Sequence, residues 1–131
     1  MSSLVLPLRT PEIVTVNIVF EDKKIRVTPE KAEVHVGQVV RWQFFLREYL
    51  VRPVTLTIYF QEEATPFDWV NISARIHANS QSWTSSREWN HPVSIKGVPK
   101  PDAQGRDYKY GVHIAGGSET IDDEDPYIIV L

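Results

Sequence analysis

Alternation of apolar and polar residues is the dominant pattern of this chain. Every second residue is apolar in seven segments, as in β-strands that bury one face. These segments cover residues 14–20, 25–28, 32–36, 40–46, 54–61, 108–114 and 127–131. The last segment is apolar at every position, which is typical of a central or covered strand. No segment has the 3.6-residue period of a helix, so the pattern predicts an all-β protein.

The region 62–104 is less regular and holds three of the four tryptophans. We expect one or two strands there, near 69–76 and 92–96, joined by long loops. Short strands separated by frequent turn signals favour a sandwich or a barrel. Nothing in the chain resembles an interdomain linker. We therefore predict an N-terminal extension over residues 1–12 and a single domain over residues 13–131.

Two segments resemble the cupredoxins, the family of blue-copper proteins and their copper-free relatives. The first is Ile25-Arg-Val-Thr-Pro29 followed by Val34-His-Val-Gly-Gln-Val-Val-Arg-Trp42. The second, Gly105-Arg-Asp-Tyr-Lys-Tyr-Gly-Val112, is similar to the Gly-x-Tyr-x-Tyr-x-Cys strand that carries the copper thiolate in that family. The resemblance implies a cupredoxin-like Greek-key β-sandwich or barrel.

The same segments depart from the family at each copper ligand. A blue-copper site needs one thiolate and two imidazoles, usually with a weak axial thioether. The position that matches the cysteine is Val112, and Met1 is the sole methionine. The stretch that should hold the first histidine reads Val51-Arg-Pro-Val54, and the loop that should hold the second is Ala115-Gly-Gly-Ser118. We therefore expect no copper, no cofactor and no electron transfer.

Composition and charge narrow the choice of partners. The chain has 131 residues, no cysteine and a net charge of −3. Residues 119–131 hold five acidic residues and no basic one, whereas the rest of the chain has 14 basic and 12 acidic residues. Without a basic stripe, nucleic acid binding has little electrostatic support. No apolar run is long enough to span a membrane and no signal peptide is evident, so we expect a soluble cytoplasmic protein.

Residues with catalytic or metal-binding chemistry are few. His35 and His113 fall on outward faces of predicted strands, and we interpret them as ordinary surface histidines. A metal-dependent enzyme that uses His77, His91 or His35 with carboxylates is the least favoured interpretation. The acidic run 122–125 lacks the spacing of an EF-hand loop, and we interpret it as a solvated turn before the last strand. We predict no catalytic residue and no metal ligand.

Aromatic and acidic side chains are the candidates for binding. The predicted binding surface consists of Trp69, Trp83, Arg87, Trp89, Asp122, Asp123 and Asp125. Aromatic residues beside polar groups are typical of contact surfaces, and opposite charges favour docking. We expect a non-enzymatic binding or assembly module that contacts another protein or a second copy of itself. The alternative is a carbohydrate or small-ligand module that uses the Trp83–Trp89 loop.

Overall fold

A computed structural model describes residues 13–48, 50, 52–76, 93–116 and 119–131. Within these residues the chain forms ten β-strands and one short 3₁₀ turn, Pro101–Ala103. The strands are β1 Ile13–Glu21, β2 Lys24–Thr28, β3 Lys31–Val34, β4 Val39–Leu46, β5 Val54–Phe60, β6 Asn71–Ile76, β7 Val93–Gly97, β8 Arg106–Gly116, β9 Glu119–Glu124 and β10 Tyr127–Val130. The predicted all-β class is confirmed.

The strands form two mixed sheets. One has four strands in the order β2-β1-β4-β7, and the other has six, in the order β3-β10-β8-β5-β6 with β9 also paired to β8. The pairs β1–β4 and β3–β10 are parallel, and the remaining pairs are antiparallel. Strand β8 is long enough to pair first with β10 and then with β9 along one side. Strand β8 is therefore paired with three strands of this sheet, β5, β9 and β10.

The chain passes from one sheet to the other at Pro29. Strands β2 and β3 are separated only by Pro29 and Glu30, yet β2 lies at the edge of the four-stranded sheet and β3 at the edge of the six-stranded one. Proline has no N–H for a ladder hydrogen bond, so a strand ends there. Strand β2 accordingly ends at Thr28, directly before the proline.

Alternate residues of both sheets point inward and form one core. Its fully buried members include Val16, Ile18 and Phe20 of β1, Val40 and Trp42 of β4, Leu56 and Ile58 of β5, and Val112 and Ile114 of β8. Trp42 donates its indole N–H to the hydroxyl of Tyr110 at 3.0 Å, which satisfies two buried polar groups. Burial of this apolar surface is the main stabilising contribution to the sandwich.

Predictions for the irregular region and for the acidic run had different outcomes. The strands predicted near 69–76 and 92–96 are present as β6 and β7. The prediction that residues 122–125 form a solvated turn is wrong, because Asp122, Asp123 and Glu124 belong to β9. Among the described residues no helix is long and apolar enough to cross a membrane. The predicted extension 1–12 lies outside the described residues. Residues 117 and 118 of the loop expected after Val112 also lie outside them, whereas Ala115 and Gly116 belong to β8 and not to a loop.

Candidate functional site

Strand β8 places hydrocarbon at the position where the sequence resemblance would put a copper thiolate. Val112 is fully buried and pairs with Ile58 of β5, which is also fully buried. The next residue, His113, points to the outer face, where its Nδ1 lies 3.6 Å from Oδ2 of Asp123. Because copper of this type needs a thiolate and the chain has no cysteine, these residues do not fit a blue-copper centre. Nor do any three His, Asp or Glu side chains of the described ranges come close enough together to hold a metal ion.

The outer face of the six-stranded sheet carries a cluster around Asp123. Tyr59 of β5 donates its hydroxyl to both carboxylate oxygens of Asp123, each at 3.2 Å. The Tyr59 ring lies over Gly111, its cross-strand partner, and a Cβ atom at Gly111 would overlap the ring. Burial, and then the negative charge of Asp123, raise the pKa of the Tyr59 hydroxyl. A glycine is needed here because the tyrosine ring occupies the space of a side chain.

Other polar side chains of this outer face also have partners. The hydroxyls of Thr57 and Ser73 are hydrogen-bonded across β5 and β6 at 2.9 Å. Lys109 of β8 forms an ion pair with Asp125 at 3.0 Å, and this contact raises the pKa of the lysine. The face thus satisfies much of its own charge and hydrogen-bonding capacity.

Strand β9 joins the two sheets through a carboxylate. Asp122 Oδ2 accepts a hydrogen bond from the backbone N–H of Ile25 at 2.7 Å. Ile25 belongs to β2, an edge strand of the four-stranded sheet, so the contact occupies a donor that would otherwise face outward. This contact, together with pairing to β8, holds in place a strand whose one apolar residue is Ile121.

A cleft of about 350 Å³ lies beside this contact, and we refer to it as the acidic cleft. It is lined by Ile25, Arg26, Val27, Thr28, Glu30, Glu124 and Pro126. Burial raises the pKa of Glu124, and the negative charges of Asp122, Asp125, Glu30 and Asp123 raise it further. The Arg26 guanidinium contacts Glu21 at 3.2 Å, so its charge is already partly compensated. Within the described part of the chain Glu30 and Glu124 form no ion pair.

The outer face of the four-stranded sheet has a different character. Strands β1 and β4, together with β7 and the residue that follows it, place a row of aliphatic residues next to a row of cationic and hydroxyl residues. We call these six residues the basic face. They are Ile13, Thr15, Val39, Arg41, Lys96 and Val98. Ile13 is 43% exposed and Val98 is 51% exposed, which is unusual for large aliphatic side chains in this molecule.

Two cations stand side by side on the basic face. Arg41 and Lys96 are direct cross-strand partners, and Arg41 Nη2 donates to Thr15 Oγ1 at 3.4 Å. Neither forms an ion pair with a carboxylate of the described residues. Glu21, the acidic residue of β1 on this face, lies six residues beyond Thr15, about 20 Å along the strand. Like charges placed directly opposite each other are destabilising, so the sheet does not need this pair for its own stability.

The sequence-predicted binding residues are divided among three environments. Trp69 is partly buried against the core, with its ring 5.0 Å from Phe67 and 5.8 Å from Trp42. The three acidic residues Asp122, Asp123 and Asp125 each have the intramolecular partner described above. Trp83, Arg87 and Trp89 lie outside the described residues, as do His77 and His91, so the interpretations that depend on them stay predictions.

The basic face contains residues that sequence reasoning missed. Arg41 was visible only as a polar residue between Val40 and Trp42, and Lys96 only as one between Ile95 and Gly97. What joins them is the register of β4 and β7, which are far apart in the sequence. Two lysine or arginine residues at outward positions of separate strands are a weak signal, because strand order decides whether they meet.

The described residues form a two-sheet β-sandwich, and the segments that resemble the cupredoxin motifs lie on β2 to β4 and on β8. No protein-family model and no curated protein matches the chain. Among solved structures, it is similar to auracyanin A, a "blue" copper protein from the green thermophilic photosynthetic bacterium Chloroflexus aurantiacus. That similarity has a TM-score of 0.48 and 15% sequence identity, and it covers 91% of this chain and 99% of that chain.

Proposed function

We propose that the protein is a non-enzymatic binding or assembly module that makes protein–protein contacts through its basic face. The observation that carries this proposal is the pair Arg41 and Lys96, two adjacent cations without a described carboxylate partner, next to an aliphatic row in which Ile13 and Val98 are exposed. A cytoplasmic location and the absence of enzymatic activity stay predictions of the sequence.

The composition of the basic face supports a protein partner. Protein interfaces combine an apolar centre with arginine and a polar rim, and charged groups set orientation and association rate. Ile13, Val39 and Val98 supply the apolar part, and Arg41 and Lys96 supply the charge. A cationic pair that is unfavourable in the isolated sheet becomes favourable when a partner's carboxylate covers it.

The experiment is affinity capture from an extract of the protein's own cells with matched variants of the full chain. Lys96→Glu reverses the charge of the basic face, and Val98→Ser removes an exposed aliphatic group. Lys23→Glu makes the same charge change in the exposed turn between β1 and β2 and serves as the control. We expect wild type and Lys23→Glu to retain the same proteins, and both basic-face variants to lose them.

An identical set of captured proteins for all four chains would contradict the proposal. Unfolding midpoints of the three variants that are no lower than that of wild type, measured in parallel, ensure that a loss of binding reports on the surface rather than on the fold. Both substituted side chains of the basic face are exposed, so little effect on stability is expected.

A further inference from the structure

We infer that the basic face binds the acidic cleft of a second copy of this chain, with Lys96 of one molecule placed between Glu30 and Glu124 of the next. This inference rests on the proposed function and names the partner of the same surface. It predicts a head-to-tail contact in which each molecule contributes its basic face to one neighbour and its acidic cleft to another.

The charges of the two surfaces are complementary. Lys96 and Arg41 have no described carboxylate within ion-pair distance, and Glu30 and Glu124 have no described cation within it. Burial raises the pKa of the Glu124 carboxyl, and the negative charges of four other acidic residues raise it further. A lysine ammonium in the cleft would offset these negative charges, and it would gain carboxylate contacts that it does not make among the described residues of its own molecule.

The positions of the two surfaces require the contact to be intermolecular. The acidic cleft lies at β2, and Lys96 lies on β7, the opposite edge of the four-stranded sheet. Three strand spacings separate these edges, about 14 Å, which is more than a lysine side chain can cross. Lys96 therefore cannot reach the acidic cleft of its own molecule, whereas it can reach that of a second molecule.

The arrangement also argues against simple extension of the four-stranded sheet between copies. Pairing β7 of one molecule with β2 of the next would place Lys96 beside the outward residues Lys24 and Arg26. Like charges opposite each other disfavour such pairing, and Asp122 already occupies the backbone N–H of Ile25. The contact is consequently made by side chains on the sheet face, with lysine as donor and the cleft as acceptor.

The test is sedimentation velocity on the full chain over a range of concentrations at low and high salt. We expect association that weakens with salt, because exposed charge pairs are screened. Lys96→Glu and Glu124→Lys should each weaken self-association by about tenfold or more, since like charges then oppose each other at the contact. Lys23→Glu should associate as wild type does.

Charge exchange makes the test specific. The double variant Lys96→Glu/Glu124→Lys should recover self-association, and so should an equimolar mixture of the two single variants. A wild-type chain that stays monomeric at every concentration, or association unaffected by the single variants, would overturn the inference. Capture of another protein that depends on Lys96 but not on Glu124 would overturn it too, while leaving the proposed function intact.

Discussion

On the outer face of the six-stranded sheet, Asp123 accepts the Tyr59 hydroxyl and lies 3.6 Å from His113, while Lys109 is paired with Asp125. On the outer face of the four-stranded sheet, Arg41 and Lys96 stand side by side without a described carboxylate partner. Both faces are built by the same alternation of inward apolar and outward polar residues. They differ in whether the outward residues find partners within the molecule.

This difference separates stability from recognition. Polar side chains that bind each other contribute to the folded state and leave little for a partner to gain. Charges that remain unpaired, or that face a like charge, add nothing to folding and retain their capacity to bind. The basic face, where Arg41 and Lys96 have no described carboxylate partner, is therefore the surface that we expect to make an intermolecular contact.

The largest expected effect on stability comes from a substitution at Gly111 that disrupts the contacts on the outer face of the six-stranded sheet. Gly111→Ala should lower the free energy of unfolding by about 1–3 kcal/mol, because its Cβ must displace the Tyr59 ring and with it the hydrogen bond to Asp123. The new methyl group would overlap the ring and the hydroxyl of Tyr59. Urea unfolding followed by tryptophan fluorescence measures the loss.

A second background shows whether the tyrosine is the cause. In a Tyr59→Ser chain the space over Gly111 is open, and Gly111→Ala should be neutral or stabilising, because glycine in a strand interior costs about 0.5–1 kcal/mol relative to alanine. An equal loss in both backgrounds would mean that Tyr59 does not determine the need for glycine at this position.

Much of the fold was predictable because apolar and polar residues alternate within most of the strands. The alternation is regular from Val14 to Phe20 and from Val54 to Phe60, so it predicts that one face of each strand is buried. The structure confirms this prediction. Strand β9 has no such signal, since Ile121 is its one apolar residue. It forms because β8 offers a free edge and because Asp122 reaches Ile25 in the other sheet.

The candidate site was less predictable for a related reason. That Val112 points inward and His113 outward followed from alternation, and the lack of a thiolate followed from composition. The pairing of Arg41 with Lys96 depends on which strands are neighbours and in what register. Such non-local information is absent from any single stretch of sequence.

A smaller effect on stability is expected from a substitution that creates an intramolecular ion pair on the basic face. Lys96→Glu replaces a like-charge cross-strand pair by a pair in which a carboxylate faces Arg41, and should raise the free energy of unfolding by about 0.5 kcal/mol. The gain should shrink in high salt, which urea titrations with and without added sodium chloride would detect. A variant that is more stable yet no longer associates would separate folding from recognition at one residue, whereas a destabilised variant would contradict the assignment of Arg41 and Lys96 as neighbours.

The smallest effect concerns the acidic cleft and depends on pH. The pKa of Glu124 is raised by burial and by nearby carboxylates, so the folded state holds this proton more tightly than the unfolded state does. Stability is then lost as the pH rises through the folded pKa, and the ionised carboxylate opposes folding at neutral pH. Glu124→Gln should stabilise a monomeric sample at neutral pH by about 0.3 kcal/mol, the scale of exposed charge interactions. The gain should vanish near pH 3, about one unit below the ordinary glutamate pKa, because both the folded and the unfolded state are then protonated.

The control is Glu63→Gln, which removes one negative charge from an exposed glutamate in the turn after β5. If both substitutions change the free energy of unfolding equally, the neighbouring carboxylates of the acidic cleft do not destabilise ionised Glu124.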